Sequence, residues 1–148
     1  MLFRSLRAAA GYAPPTNHRL LLIGVTVSTI TLTGETFEET IESSEVLIVD
    51  FWAEWCGPCR MFAPVFEEAS EQHPGITFAK VDTEAEQALA GALGIMSIPT
   101  LMVFREQVLL YNEAGALPGP MLEQLITRVL ELDMAEVHAA VEAQRDEG

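Results

Sequence analysis

The seven residues Val46–Trp52, Val-Leu-Ile-Val-Asp-Phe-Trp, are apolar throughout except for Asp50. A run without polar–apolar alternation has no solvated face, so it suits a strand covered on both sides. Such strands lie at the centre of sheets with helices above and below, which commits the chain to an α/β architecture. The segment that follows supplies one of those helices. Gly57–His73 carries Met61, Phe62, Val65, Phe66 and Ala69 at helical spacing, with Pro64 inside the pattern as an expected kink and Pro74-Gly75 as its end.

The remaining elements are read in the same way. Ser28–Leu32 is rich in β-branched residues and reads as a short strand. Thr33 is an N-cap candidate for a helix across 34–43, with Phe37 and Ile41 on one stripe. Ile76–Val81 reads as a strand, and Thr83–Leu93 as a helix with Ala85, Ala88, Leu89 and Ala92 inward, stopped by Gly94. Thr100–Phe104 and Val108–Asn112 form a hairpin, whose turn Phe104-Arg105-Glu106-Gln107 lacks glycine and leaves the turn type open. Pro118 opens a last helix with Leu122, Leu125, Ile126 and Val129 inward, and the acidic segment 133–148 reads as its continuation through Val137 and Val141. The order β-α-β-α-β-α-β-β-α requires crossovers and parallel pairs, then an antiparallel edge. The expected fold is a central mixed β-sheet with helices on both faces.

Length and charge bound the function. At 148 residues the chain is one domain's worth, and 49% hydrophobic against 20% charged residues excludes a largely disordered chain. With 22 acidic residues against 8 basic ones, the net charge of −14 argues against nucleic acid or an anionic membrane as partner. Every one of the 22 acids lies beyond residue 27, while residues 1–27 hold Arg4, Arg7 and Arg19. That break, with Gly11, Pro14 and Pro15, sets residues 1–27 apart as an N-terminal extension. A flexible tail, a start codon assigned upstream of Val25 or Val27, a secretory signal and an organelle transit peptide are the competing readings. The apolar run from Leu20 to Val25 is marginal for a signal, and no Ala-x-Ala follows it. A cytoplasmic location is therefore expected.

The chain has two cysteines, Cys56 and Cys59, in Trp55-Cys56-Gly57-Pro58-Cys59. The segment joins a buried strand to a helix. Cys56 then sits at a helix N-terminus, where free N–H groups and the helix dipole stabilise a thiolate. Cys59 follows one turn later, within reach and expected to be the more buried. Gly57 removes bulk beside the nucleophile, and Pro58 pre-sets a helical φ. The natural chemistry is thiol–disulfide exchange, with Cys56 attacking and Cys59 resolving. Half a zinc site and a pair of inert core cysteines are the alternatives. Zinc wants four ligands, and only His18, His73 and His138 remain, far apart in sequence, so no metal site is expected.

Val49-Asp50-Phe51-Trp52-Ala53-Glu54-Trp55-Cys56-Gly57-Pro58-Cys59 resembles the active-site motif of the thioredoxin family. Ser97-Ile98-Pro99-Thr100 resembles the family's cis-proline loop, and Phe78-Ala79-Lys80-Val81-Asp82 and Ala114-Gly115-Ala116-Leu117 match in order and spacing. The likeness spans residues 28–132. It implies the thioredoxin fold and protein-disulfide reductase activity in cell redox homeostasis, by a monomer with no bound cofactor beyond a reversible Cys56–Cys59 disulfide. It further implies thioredoxin reductase and disulfide-containing client proteins as partners, and Ile98, Pro99 and Gly115 as substrate-binding residues around a cis Ile98–Pro99 bond.

Single residues have two readings each. Asp50 breaks an apolar strand, which is costly unless the carboxylate is functional. Burial would raise its pKa and make it a proton acceptor for Cys59; capping the next turn is the alternative. Lys80, the only lysine, matches the family's lysine near that aspartate, or is a surface residue at a strand end. Trp55 reads as a partly exposed docking surface, Phe51 and Trp52 as core. Met61 and Met96 add apolar contact surface or fill core gaps. Two other functions compete with the reductase: a secretory or periplasmic disulfide oxidase or isomerase, and a chaperone-like binding module. Pro58 between the cysteines favours the reductase, because Cys-Gly-Pro-Cys is the reductase-type motif of the family.

Overall fold

The computed structural model describes residues 28–147; the readings made for residues 1–27, and His18, lie outside it. Five strands, β1 (Thr29–Thr31), β2 (Val46–Trp52), β3 (Thr77–Asp82), β4 (Thr100–Arg105) and β5 (Val108–Ala114), form one sheet in the order β1-β3-β2-β4-β5. β3 pairs parallel with β1 and β2, while β4 is antiparallel to both β2 and β5. The helices are α1 (Phe37–Ser43), α2 (Gly57–Gln72), α3 (Gln87–Ala92), α4 (Gly119–Glu131) and α5 (Met134–Glu147).

The run 46–52 behaves as its composition requires. Val46 and Ile48 point into one core with Phe62 and Phe66 of α2, Phe78, Leu101, and Leu122 and Ile126 of α4. Leu47, Val49 and Phe51 point into the opposite core with Phe37, Ala79, Val81 and Met102, flanked by Leu89 and Leu93. The sheet thus has α2 and α4 on one face, α1 and α3 on the other. Period-2 alternation puts Asp50 on the α2 side, and its register partner Lys80 shares that face.

The helix boundaries that differ most from the sequence reading are three, each where a polar side chain redirects the backbone. The first helix begins at Phe37, not 34, since Thr33 and Thr36 build a turn in which the Thr33 N–H donates to Thr36 Oγ1 at 2.9 Å. α3 is shorter than Thr83–Leu93 because Asp82 Oδ1 accepts the N–H groups of Glu84 at 2.9 Å and Ala85 at 3.3 Å, holding 83–86 as a turn. The C-terminal segment does not continue the last helix. Leu132 is extended, with ψ 143°, and Asp133 Oδ1 accepts the Ala135 N–H at 3.0 Å, so α5 is a separate, side-chain-capped helix. Met134 is buried, Arg105 Nη1 donates to the carbonyls of Val129, Leu130 and Leu132, and His138 pairs with Glu106 at 2.7 Å, which ties α5 to the β4–β5 turn.

That turn is two residues long. Glu106 and Gln107 have φ of 52° and 70°, the two left-handed positions of a type I′ hairpin, without the glycine such a turn favours. A left-handed non-glycine residue costs about 1–2 kcal/mol. Gln107→Gly is therefore expected to raise stability by about 1 kcal/mol, after the entropy that glycine adds to the unfolded chain. A urea midpoint that does not increase would contradict that reading of the turn.

Candidate active site

Cys56 and Cys59 are joined in a disulfide, with Cα atoms 5.2 Å apart. Cys56 is the N-cap of α2, with extended φ and ψ of −89° and 112°, and its Sγ accepts the Cys59 N–H at 3.1 Å. A free N–H of the first helical turn is thus aimed at the Cys56 sulfur, which is the arrangement that stabilises negative charge there. Burial does not separate the cysteines as anticipated: they are 4% and 3% exposed. What separates them is the cap geometry. Gly57 and Pro58 occupy the first two helical positions and are exposed. A Cβ at Gly57 would meet no atom within 4 Å, so the space beside Cys56 is open to an incoming chain.

The loop before β4 closes the other side. The Ile98–Pro99 peptide is cis, Pro99 is buried, and the Ile98 carbonyl oxygen lies 3.7 Å from Cys56 Sγ. Gly115 just after β5 donates its N–H to the Pro99 carbonyl at 2.7 Å with φ of 120°, a conformation that glycine alone adopts freely. Ala53, Cys56 and Cys59 form a small buried cluster with Trp52 and Ile98 packed against it. Ile98 is thereby brought to the disulfide from some 40 positions away in sequence, and Gly115 is bonded to the neighbouring Pro99.

Asp50 lies beneath. It is fully buried, and neither carboxylate oxygen is hydrogen-bonded by the protein. Burial pushes its pKa from 3.8 up to about 7, and the Lys80 ammonium opposes the rise. Asp50 does not cap the next turn, so that alternative fails. Lys80 is no free surface lysine either: its Nζ stands 5.2 Å from the centroid of the Trp52 ring, a cation–π contact.

Trp55 is exposed, and its indole N–H donates to Glu84 Oε2 at 3.1 Å. Glu84 was not found from sequence. Its only signal was the Asp82-Thr83-Glu84 turn after β3, and which surface that turn faces depends on the sheet order. Met61 and Met96 are both exposed, so neither fills the core. His73 and His138 pair with Glu123 and Glu106, and among the described residues no group of three or more His, Cys, Asp or Glu side chains could hold a metal ion.

Comparison with known proteins agrees with this geometry. The protein-family description Thioredoxin matches residues 28–128. Putative thioredoxin 2 of Streptomyces coelicolor is 52% identical over 118 residues, covering 80% of this chain and 88% of that one. Thioredoxin of Alicyclobacillus acidocaldarius is 41% identical, covering 70% of this chain and 100% of the relative. Among solved structures, a mutant thioredoxin from Halobacterium salinarum superposes with a TM-score of 0.65 at 34% identity, over 71% of this chain and 94% of that one. Because the family match runs from β1 into α4 and takes in the disulfide at the head of α2, the chain belongs to the thioredoxin family and is a thiol–disulfide oxidoreductase whose redox centre is the Cys56–Cys59 pair.

Proposed function

We propose that the chain is a cytoplasmic, monomeric reductase of protein disulfides, re-reduced by a thioredoxin reductase that draws on a reduced nicotinamide cofactor. The observation that carries the division of labour is the Cys59 N–H donated to Cys56 Sγ at the start of α2. It favours the thiolate at Cys56, so Cys56 is the nucleophile. The Cys56 thiolate attacks one sulfur of a client disulfide, and the other client sulfur leaves as a thiolate. Asp50 takes the Cys59 proton, and the Cys59 thiolate attacks Cys56 Sγ. The second client sulfur is expelled, and two electrons have passed to the client. The Cys56–Cys59 disulfide is the oxidised end of that cycle.

The docking surface follows from the same neighbourhood. The Ile98 carbonyl borders the disulfide, Gly115 bonds to Pro99 of the same loop, and Trp55, Met61 and Met96 are exposed apolar side chains on the elements that flank it in sequence. An extended client segment would pair with the Ile98 backbone while covering the apolar rim. Lys80 tempers the acidity of Asp50. Residues 28–132 carry this chemistry; residues 1–27 and 133–148 are additions to it.

A titration of the Cys56–Cys59 couple tests the reading. A potential near the about −270 mV characteristic of thioredoxins is expected, and one near the about −120 mV of a strong oxidase would overturn it. Deletion of residues 1–25 is expected to leave the insulin-reduction rate and thermal stability nearly unchanged. A loss above about 2 kcal/mol, large against ordinary domain stability, would assign the segment a structural role. No helix among the described residues is long and apolar enough to cross a membrane.

A further inference from the structure

Two methionines on the elements that carry the disulfide and its neighbouring loop stand bare. Met96 is 91% exposed and Met61 is 75% exposed, whereas Met102 and Met134 are buried at 2% and 7%. Methionine usually serves as adaptable core filler, and packing accounts for neither rim residue. Their positions are set by the elements that build the site. Met96 lies in the loop between α3 and β4, two residues before Ile98, whose carbonyl is 3.7 Å from Cys56 Sγ. Met61 lies two residues beyond Cys59 in α2. Trp55, itself 67% exposed, is a third bare apolar side chain on these elements, and the docking surface proposed above includes all three.

We propose that Met61 and Met96 are oxidant-sensitive modification sites, at which hydrogen peroxide converts thioether to sulfoxide and so weakens client docking at the Cys56–Cys59 centre. The proposal rests on the docking surface described above. In the reaction the thioether sulfur attacks a peroxide oxygen, the O–O bond breaks, an S–O bond forms and water leaves. The sulfur is oxidised by two electrons and the peroxide reduced by two. The Cys56–Cys59 disulfide takes no part, so the modification acts on the oxidised protein without touching its redox pair. A sulfoxide is polar and chiral where the thioether was apolar and pliant. It removes the gain from burying an apolar side chain against the client, worth about tenfold in affinity at one well-covered position. The buried Met102 and Met134 are protected by access alone.

The test uses the full-length chain as its disulfide. It is treated with hydrogen peroxide, cleared with catalase, mapped by peptide mass spectrometry and assayed for dithiothreitol-driven insulin reduction. Met61 and Met96 are expected to convert before Met102 and Met134, and kcat/KM for insulin to fall about tenfold, chiefly through KM. Each variant is compared with its own untreated sample. The Met61→Leu/Met96→Leu protein should keep its own rate within about twofold, an interval well inside that change. Met121→Leu should lose as much as wild type, since Met121 lines a surface pocket with Tyr111 and Leu125. Full conversion of both rim methionines with no change in KM would overturn the proposal. An equal loss in the double leucine variant would also overturn it and locate the damage at another group, Trp55 first. The Met61→Gln/Met96→Gln variant separates the two layers of the argument. A raised KM without peroxide supports the docking surface, and an unchanged KM overturns that surface together with the switch built on it.

Discussion

Cys56→Ser is expected to abolish insulin reduction, and Cys59→Ser to stop turnover while trapping clients as mixed disulfides through Cys56. The asymmetry follows from the cap at the head of α2. Serine at 56 removes the sulfur that accepts the Cys59 N–H, and with it the only nucleophile facing the open space beside Gly57. Serine at 59 leaves that nucleophile in place but removes the group that displaces the client. Loss of a covalent step leaves the uncatalysed exchange, several orders of magnitude slower. Non-reducing electrophoresis of a lysate incubated with each variant, followed by peptide mapping of the adducts, is the measurement. Adducts held through Cys59 in the Cys56→Ser protein, at the level seen in the converse variant, would reverse the assignment.

Asp50→Asn is expected to raise stability at alkaline pH and to slow release of the client. Burial holds the folded-state pKa at about 7 against an ordinary 3.8, so the folded chain binds the Asp50 proton more tightly than the unfolded chain does. Stability from that proton is therefore complete below pH about 4 and is lost as pH rises to about 7. The difference between 3.8 and about 7 corresponds to about 4 kcal/mol. Asparagine has no proton to lose, so the variant should exceed wild type by up to that amount at pH 8 and differ little at pH 4. Lys80, left without the Asp50 carboxylate opposite it, offsets part of the gain. For the chemistry, the carboxylate form accepts the Cys59 proton, so the wild-type rate of resolution should climb through pH 6–8. Asparagine should lower it by about 10²–10⁴-fold and flatten the profile. The decay of a preformed Cys56 mixed disulfide, followed by stopped flow in both proteins, decides the point; equal rates across that range would leave Asp50 a structural residue.

Several features could be read without the structure because they are local. The two-sided burial of Val46–Trp52 follows from its composition, and both cores confirm it through the alternation of Ile48 and Phe51. Cys56 at a helix N-terminus follows from an apolar strand running into a helical stripe. Asp50 stood out because a carboxylate has no cheap place in such a strand. Family likeness, more than chain physics, pointed to Ile98, Pro99, Gly115 and Lys80, since nothing in their own segments links them to residues 56–59.

Other features waited on the tertiary structure, and the reason is common to them. Sequence periodicity reports which side of an element is apolar, but not where that element lies in the sheet. The order β1-β3-β2-β4-β5 places Lys80 opposite Asp50, brings Ile98 to Cys56 and sets Gly115 against Pro99. Burial without a hydrogen-bond partner, which moves the Asp50 pKa, is likewise a property of everything packed around it. The ends of elements were misjudged where one polar side chain redirected the backbone: Thr36 before α1, Asp82 before α3 and Asp133 before α5. Glu84 reaches Trp55 only because the turn after β3 faces the turn after β2. By itself the amino-acid sequence determined the covered central strand, the helix-capping cysteine pair and the misplaced carboxylate, all consequences of short-range pattern. Which loops and strands meet the cysteine pair, and which residue faces the carboxylate, was decided by strand register and loop contacts, because long-range pairing is selected by the free energy of the whole packed sheet and leaves no local trace.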